Sequence, residues 1–196
     1  MIGWVLLGIV VVVVVSIAIW MIAIYNKLVG LKFRVGQAWS DVDVQLKRRY
    51  DLVPNLVETV KGYASHEKKT LGEVTKARSM AMQVTEPGQK KGQAENFLSS
   101  TLKSLFAISE SYPDLKANQN FMDLQSTLSK LEEDIQLSRR YYNAVVRDMN
   151  IMTEAFPSNL IAGRFGFKRV EYFLLPSESE RDVVKVKMSE RLLTKR

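Results

Sequence analysis

The sequence predicts an all-α protein in which an N-terminal transmembrane helix is followed by an antiparallel bundle of three to four long helices. The first residues carry no charge, and apolar residues later in the chain recur every three or four positions, with no strand-like alternation between these repeats. We therefore expect an anchor at 1–25, a helical bundle at 26–173 and a flexible or weakly ordered tail at 174–196.

The composition divides the chain into two unlike parts. The 196 residues are 46% hydrophobic and carry a net charge of +7, from 28 Lys and Arg against 21 Asp and Glu. Residues 1–24 include 21 apolar residues and no charge, so the remainder has the ordinary composition of a water-soluble domain. The absence of Cys excludes a disulfide framework, thiolate metal sites and cysteine nucleophiles.

The apolar segment is long enough to cross a bilayer. A helix over residues 2–25 reaches about 36 Å, which exceeds the hydrocarbon thickness of about 30 Å. Trp4, Trp20 and Tyr25 lie towards its ends, where amphipathic rings favour the membrane interface. A cleaved signal peptide would need a basic start, a shorter apolar core and a small-residue cleavage site, and none is present. We expect a retained anchor.

The basic residues around this segment predict its orientation. No basic side chain precedes it, whereas Lys27, Lys32 and Arg34 follow it closely. The positive-inside rule then places the N-terminus outside and the bundle in the cytoplasm of a single-pass protein of the inner membrane. The same three side chains are the expected contacts with lipid headgroups, because an anionic leaflet attracts juxtamembrane Lys and Arg.

The clearest periodicity lies near the carboxyl end. Eleven positions from Phe121 to Phe156 follow steps of three and four, and ten of them are apolar. This repeat predicts one helix of 36 residues, with a narrow apolar seam typical of a bundle or coiled coil, that ends at Pro157. The seam also predicts self-association of the chain. Charged residues on the other faces, including Glu132 and Glu133, indicate a solvated surface.

A second apolar stripe follows the anchor. It begins at Leu28, reaches Val84 and keeps helical spacing across Pro54. The pattern fits one kinked helix, and it fits equally a new helix capped by Asp51 with Pro54 in its first turn. Turn-forming residues at 86–88 end this region.

The remaining segments are shorter. An amphipathic stretch runs from Phe97 to Tyr112, and polar residues then lead to the long helix, with Asn118 or Asn120 as its cap. A short capped turn is expected at 158–163. Aromatic residues after it are expected to close one end of the core: Phe165, Phe167, Tyr172 and Phe173.

Several blocks of sequence resemble a known family. Residues 37–64 read QAWSDVDVQLKRRYDLVPNLVETVKGYA, and YPDLKAN (112–118), SRRYYN (138–143) and FPSNLIA (156–162) follow in order. Together they resemble the LemA family of bacterial membrane proteins over residues 25 to about 173. The resemblance implies an N-terminal anchor and a helical bundle on the cytoplasmic side. It implies no catalytic residues, because the family has no established enzymatic activity, and its magnetosome-membrane branch suggests membrane organisation.

Motifs for catalysis, metal binding or nucleic-acid binding are missing from the sequence. His66 is the sole histidine, and a zinc site there would need two or three carboxylates as well, so a structural or solvated role is expected. The chain has neither a nucleophile elbow nor a phosphate-binding glycine loop. Acidic residues intersperse with the basic ones, so no basic stripe follows a phosphate backbone. We expect no catalytic residue, cofactor, metal or nucleic-acid partner.

Two groups of basic residues, at 47–49 and 139–140, lie beside the apolar seams, so their side chains cannot all be fully exposed to solvent. In an antiparallel bundle we expect them to pair with carboxylates such as Asp43, Asp51 or Glu58, in a polar layer that sets the register of the helices. The candidate polar or interaction cluster comprises Lys47, Arg48, Arg49, Asp51, Arg139 and Arg140.

The leading interpretation is a non-enzymatic, membrane-anchored scaffold or adaptor in the bacterial envelope. Its expected partners are the lipid bilayer, membrane or envelope proteins, and a second copy of the chain. The alternative is a regulator or enzyme with an anion-binding site formed by Arg48, Arg49 and Arg139.

Overall fold

The computed structural model describes residues 1–173, and within that range it contains helices and no strands, which confirms the predicted all-α class. The predicted tail at 174–196 lies outside the described residues. The helices are α1 (Ile2–Tyr63), α2 (Lys68–Gln83), α3 (Gln89–Ile108), α4 (Pro113–Lys116), α5 (Gln119–Glu154) and α6 (Ser158–Arg164), with a 3₁₀ turn at Ser109–Ser111.

Helix α1 contains both the apolar segment and the first helix of the bundle. By length and composition its N-terminal part is able to cross a membrane, and none of that apolar window is buried against the rest of the chain. Burial begins at Leu28 and continues at helical spacing to Val60. One uninterrupted helix therefore joins the apolar segment to the core of the bundle.

Pro54 lies inside α1, and the helix continues past it to Tyr63. The alternative of a new helix capped by Asp51 is therefore wrong, and the break between α1 and α2 comes later, at residues 64–67. Proline has no N–H, so the carbonyl of Tyr50 loses its usual donor four residues ahead. Arg78 on α2 supplies a replacement, because its Nε donates to the Tyr50 carbonyl oxygen over 2.7 Å.

The four long helices alternate in direction. Helix α5 runs antiparallel to α1, with Arg49 opposite Glu132 and Trp39 opposite Tyr142. Helix α2 folds back along α1, and α3 reverses again to meet the start of α5, where Phe106 contacts Phe121. The predicted antiparallel bundle is therefore confirmed.

Helix α5 has the predicted length of 36 residues, and its cap is Asn118, whose Oδ1 accepts a hydrogen bond of 3.0 Å from the Phe121 N–H. The seam packs inside its own chain. Phe156 departs from the prediction, because α5 ends at Glu154 and the Phe156 side chain is exposed. The buried seam residues are Phe121, Leu128, Leu131, Ile135, Tyr142, Val145 and Met149.

Two asparagines on α5 hold the segment that follows α6. Asn150 donates to the Val170 carbonyl and accepts from the Val170 N–H, over 3.0 and 2.9 Å. Asn143 makes the same pair of bonds with Phe173, over 3.1 and 2.9 Å. Asn143 and Asn150 are seven residues, or about two helical turns, apart, so both side-chain amides lie on one face of α5. From that face they bond to the backbone of the segment after α6.

The aromatic residues after α6 only partly fulfil the prediction that they close the core. Phe173 is buried beneath Trp39, with ring centroids 5.7 Å apart. Phe165 is exposed instead, although its ring lies 4.8 Å from that of Tyr25. The end of the bundle nearest the apolar segment therefore keeps an uncovered aromatic surface.

Candidate functional site

The centre of the bundle contains a cluster of charged side chains, which we call the buried polar cluster: Arg49, Tyr50, Lys91, Glu95 and Glu132. The first four are each at most 5% exposed, and Glu132 lies at the edge of the cluster. They come from α1, α3 and α5, so the cluster joins three of the four long helices. Buried charges require partners, because an unpaired charge is costly to remove from water.

Arg49 is the largest fully buried side chain in the described residues. Its Nη1 donates to Glu132 Oε2 over 2.6 Å and to Ser99 Oγ over 3.0 Å, and its Nη2 donates to Glu95. The planar fork of a guanidinium suits this geometry, since it presents several donors in fixed directions. One side chain from α1 thus binds both α3 and α5. The Nε of Arg49 is buried and has no acceptor.

Lys91 completes the cluster on the side of α2. Its Nζ donates to the Tyr50 hydroxyl and to the Ala81 carbonyl, each over 2.9 Å, and lies 3.1 Å from Glu95. All three ammonium donors are therefore used. Ala81 is in the last turn of α2, where carbonyls lack intrahelical partners, so Lys91 also caps that helix.

The phenol of Tyr50 remains protonated at neutral pH. Burial, followed by the negative charge of Glu95, raises the pKa of Tyr50 above its usual range. The protonated hydroxyl donates to Glu95 and accepts from Lys91, so both roles of the oxygen are used. The positive charges of Arg49 and Lys91 balance the negative charges of Glu95 and Glu132, so the cluster is formally neutral.

The structure corrects the predicted partners of the basic residues. Arg49 pairs with Glu95 and Glu132, and Glu132 was expected on a solvated surface. Asp43 instead binds the exposed Lys47 over 3.2 Å. The polar layer between helices therefore exists, but its acids come from α3 and α5.

The predicted arginines do not converge on one pocket. Arg48 is exposed and lines a crevice with Asp51 and Asp134, whereas Arg49 points to the other side of α1. Arg139 is half-buried and lies level with Val42, because α5 is antiparallel to α1, so it is about 10 Å along the axis from Arg49. Arg140 is exposed.

A small crevice of about 250 Å³ reaches the cluster between α3 and α5. It is lined by Arg49, Lys103, Glu132 and Glu133, whose charges cancel. Its volume lies below the range of about 300 to 1,000 Å³ that is usual for small-molecule sites. The charge and the size of this crevice therefore favour an internal structural cluster over an anion-binding pocket.

The residues predicted at the membrane interface lie along one stretch of α1. Trp4 and Trp20 are exposed on the apolar segment, and Tyr25 packs against Phe165 and Phe167, at 4.8 and 5.9 Å between ring centroids. The basic side chains that follow the segment are all exposed: Lys27, Lys32 and Arg34.

Sequence reasoning missed Lys91 and Glu95. The apolar stripe of α3 extends backwards from Leu105, Leu102 and Leu98 in steps of three and four to these two positions. A charged pair at seam positions of a helix is a usable sign of a buried ion pair. Glu132 offers a weaker sign, since it is next to a seam residue but is followed by two further acids.

His66 is exposed in the loop between α1 and α2. Among residues 1–173, no three or more His, Asp or Glu side chains are grouped closely enough to hold a metal ion.

Comparisons with known proteins support the resemblance seen in the sequence. The model of the LemA family matches residues 38–188. The chain is similar to protein LemA of Metamycoplasma hominis, with 28% identity over 160 residues, which cover 80% of this chain and 71% of that relative.

Two further relatives are magnetosome proteins. The chain is 24% identical over 194 residues to magnetosome protein MamQ 2 of Paramagnetospirillum magneticum, with 86% of this chain and 71% of the relative covered. It is also 24% identical over 174 residues to magnetosome protein MamQ of Magnetospirillum gryphiswaldense, with 76% and 64% covered. These likenesses and the apolar segment of α1 indicate a membrane-associated helical protein.

Proposed function

The chain belongs to the LemA family, and from that premise we propose that it is a non-enzymatic, single-pass scaffold or adaptor that organises proteins at the bacterial inner membrane. Its N-terminus would lie outside and its bundle in the cytoplasm, where the bundle would present a fixed surface to membrane or envelope proteins.

The continuity of α1 carries the proposal. This helix runs without interruption from Ile2 to Tyr63, so no flexible linker separates the apolar segment from the bundle. At about 1.5 Å per residue, the part beyond Tyr25 extends about 57 Å. A partner bound to the bundle would therefore be held at a set distance and direction from the membrane, which is what a scaffold requires.

The buried polar cluster supports the same function. A neutral set of interlocked ion pairs that joins α1 to α3 and α5 makes the bundle resistant to sliding of its helices, since each carboxylate has a specific partner. Its ionic groups are occupied by one another, which favours rigidity over ligand binding. The relatives named as magnetosome proteins are consistent with a role in membrane organisation.

Self-association is a further part of the proposal, although its surface must differ from the predicted one. The α5 seam is buried against α1 within a single chain, so it is not available to a second copy. A homo-oligomer would have to use exposed residues such as Leu137, Tyr141 and Ile151 on α5.

Proximity labelling in cells tests the scaffold. The full chain, fused to a labelling enzyme at its carboxyl end, should mark a reproducible set of envelope proteins. A chain without residues 1–25 should lose that set. The matched control replaces residues 2–24 with leucines, which keeps a span of the same length and should keep the partners. If no envelope protein is reproducibly marked, or the set is unchanged without the anchor, the scaffold proposal is wrong.

A further inference from the structure

The end of the bundle nearest the apolar segment carries an exposed apolar surface made from distant parts of the chain. Four side chains form this proximal patch: Phe33 on α1, Phe156 between α5 and α6, Leu160 on α6 and Phe165 just after it. They are between 58% and 79% exposed, and no other large apolar side chain of residues 26–173 exceeds 56%. Such a concentration at one end marks a contact surface.

Helix packing places α6 beside the end of the apolar segment. Ile161 and Ala162 on α6 pack against Leu28 and Leu31 of α1 in a separate small core. The Phe165 ring also contacts Tyr25, the last residue of the charge-free segment. Leu28 and Leu31 lie about 5 and 9 Å beyond Tyr25 along the axis of α1, and the headgroup layer is about 5 to 7 Å deep, so α6 lies at the level of the headgroups and their outer edge.

Basic side chains predominate at this end. Residues 1–40 contain no Asp or Glu, and neither do residues 155–170. Two acids of α5 lie nearby, and each has a basic partner: Glu154 lies 3.6 Å from Arg169, and Asp148 lies 3.3 Å from Arg147. An anionic leaflet attracts basic side chains near its surface. These two segments contribute six such side chains: Lys27, Lys32, Arg34, Arg164, Lys168 and Arg169.

A groove between α1 and the turn after α6 combines both features. Its volume is about 860 Å³, and it opens beside the proximal patch. Both aromatic rings and basic side chains line it, as a phospholipid with apolar chains and an anionic phosphate would require. The residues that matter here are Tyr25, Phe165, Phe167, Lys32, Lys168 and Arg169.

We propose that the bundle makes a second membrane contact, in which the proximal patch and these six basic side chains face the headgroup layer of an anionic bilayer. Phe156, Leu160 and Phe165 enter the boundary between headgroups and acyl chains, and the basic side chains bind phosphates. The contact fixes the rotation and tilt of the bundle about α1. The inference rests on the membrane span proposed for residues 2–25.

Single-cysteine labelling tests the contact, because the chain has no cysteine of its own. Full-length Leu160→Cys carries an environment-sensitive fluorophore in vesicles of phosphatidylcholine and phosphatidylglycerol. Met122→Cys is the matched control, since this exposed residue lies at the far end of the bundle, beside Asn118 and Tyr63. Val13→Cys reports on the span. A lipid with a nitroxide in its headgroup should quench the fluorophore at position 160, and the emission of that fluorophore should shift to the blue. The fluorophore at position 122 should be unaffected.

The outcomes separate the two proposals. For position 13, a nitroxide on the acyl chain is the probe. If position 13 is quenched but position 160 behaves like position 122, the second contact is overturned and the span stands. If position 13 is not quenched either, the span itself is overturned.

A charge reversal gives an independent check. Replacing Arg164→Glu together with Lys168→Glu in the labelled Leu160→Cys chain should reduce quenching in the anionic vesicles. The reduction should shrink in vesicles of phosphatidylcholine alone, because the electrostatic attraction is then absent. Equal quenching of the charge-reversed and parent chains in anionic vesicles would overturn the proposed phosphate contacts.

Discussion

The Arg49 guanidinium of α1 donates to the Glu132 carboxylate of α5 over 2.6 Å, at the middle of the longest helix pair in the bundle. Apolar seam positions recur every seven residues, so the apolar contacts alone would tolerate a slip of one heptad, or about 10 Å. The ion pair has one correct position, and Glu95 holds the same guanidinium on α3. The ion pair therefore selects one register of α5 against α1 among those that the apolar contacts alone would allow.

Replacing Arg49→Met should strongly destabilise the bundle. The change removes the partner of Glu95, which is buried, and leaves a carboxylate without sufficient compensation. Breaking a buried pair in this way costs about 3 to 5 kcal/mol. Denaturant unfolding of the full chain in detergent micelles, followed by far-UV circular dichroism, measures the loss.

Two variants make the comparison specific. Arg49→Lys keeps the charge but lacks the planar fork, so its loss should be smaller than that of Arg49→Met. Arg48→Met changes the neighbouring exposed arginine and should alter the free energy of unfolding by no more than about 0.5 kcal/mol. Equal stability of Arg49→Met and the parent chain would show that the pair contributes nothing.

Alkaline pH should destabilise the bundle through its buried tyrosines. Burial, and then Glu171, raises the pKa of Tyr142 to about 12, and burial with Glu95 raises that of Tyr50. Between about pH 10 and pH 12 the unfolded chain ionises its phenols while the folded chain keeps them protonated, so stability falls as pH rises. Each tyrosine contributes a slope of at most about 1.4 kcal/mol per pH unit.

The variant Tyr142→Phe isolates one contribution. At neutral pH it loses the hydrogen bond of 3.0 Å to the Glu171 carbonyl, which costs about 1 kcal/mol. Above pH 10 its stability should fall less steeply than that of the parent chain, because one ionising phenol is gone. Denaturant unfolding at a series of pH values gives both slopes, and parallel slopes would contradict the assignment to Tyr142.

The sequence predicted the helices well because each carries its own periodic signal, as the Phe121 stripe shows. It could not settle the path of the chain at Pro54, since the donor to the Tyr50 carbonyl is Arg78, which is 24 positions away and becomes a neighbour only after α2 folds back. Glu132 was misassigned for a similar reason. A charged residue beside a seam is solvated or buried according to what the opposite helix offers, and here that helix offers Arg49.

Asn150 should control the order of the segment after α6. Replacing Asn150→Ala removes both hydrogen bonds to Val170 and leaves a backbone N–H without its acceptor, which costs about 1 to 3 kcal/mol. Hydrogen exchange at the Val170 amide should accelerate. Asn55→Ala, at an exposed site on α1, is the control and should leave that amide unchanged. Unaltered exchange in Asn150→Ala would show that other contacts hold the segment.

The effects of Pro54 and Arg78 should be coupled through the Tyr50 carbonyl. In the parent chain, Arg78→Met leaves this oxygen without a donor and should cost about 1 to 3 kcal/mol. With Pro54→Ala, the new backbone N–H can donate to the same oxygen, so Arg78→Met should then cost less, by a coupling energy of about 0.5 kcal/mol or more. The unfolding free energies of the parent, the two single variants and the double variant form a double-mutant cycle.

The control for this cycle is Lys76→Met, on an exposed face of α2, which should show no such coupling with Pro54→Ala. Additive effects of Pro54→Ala and Arg78→Met would mean that α1 continues through Pro54 without a contribution from the hydrogen bond of Arg78.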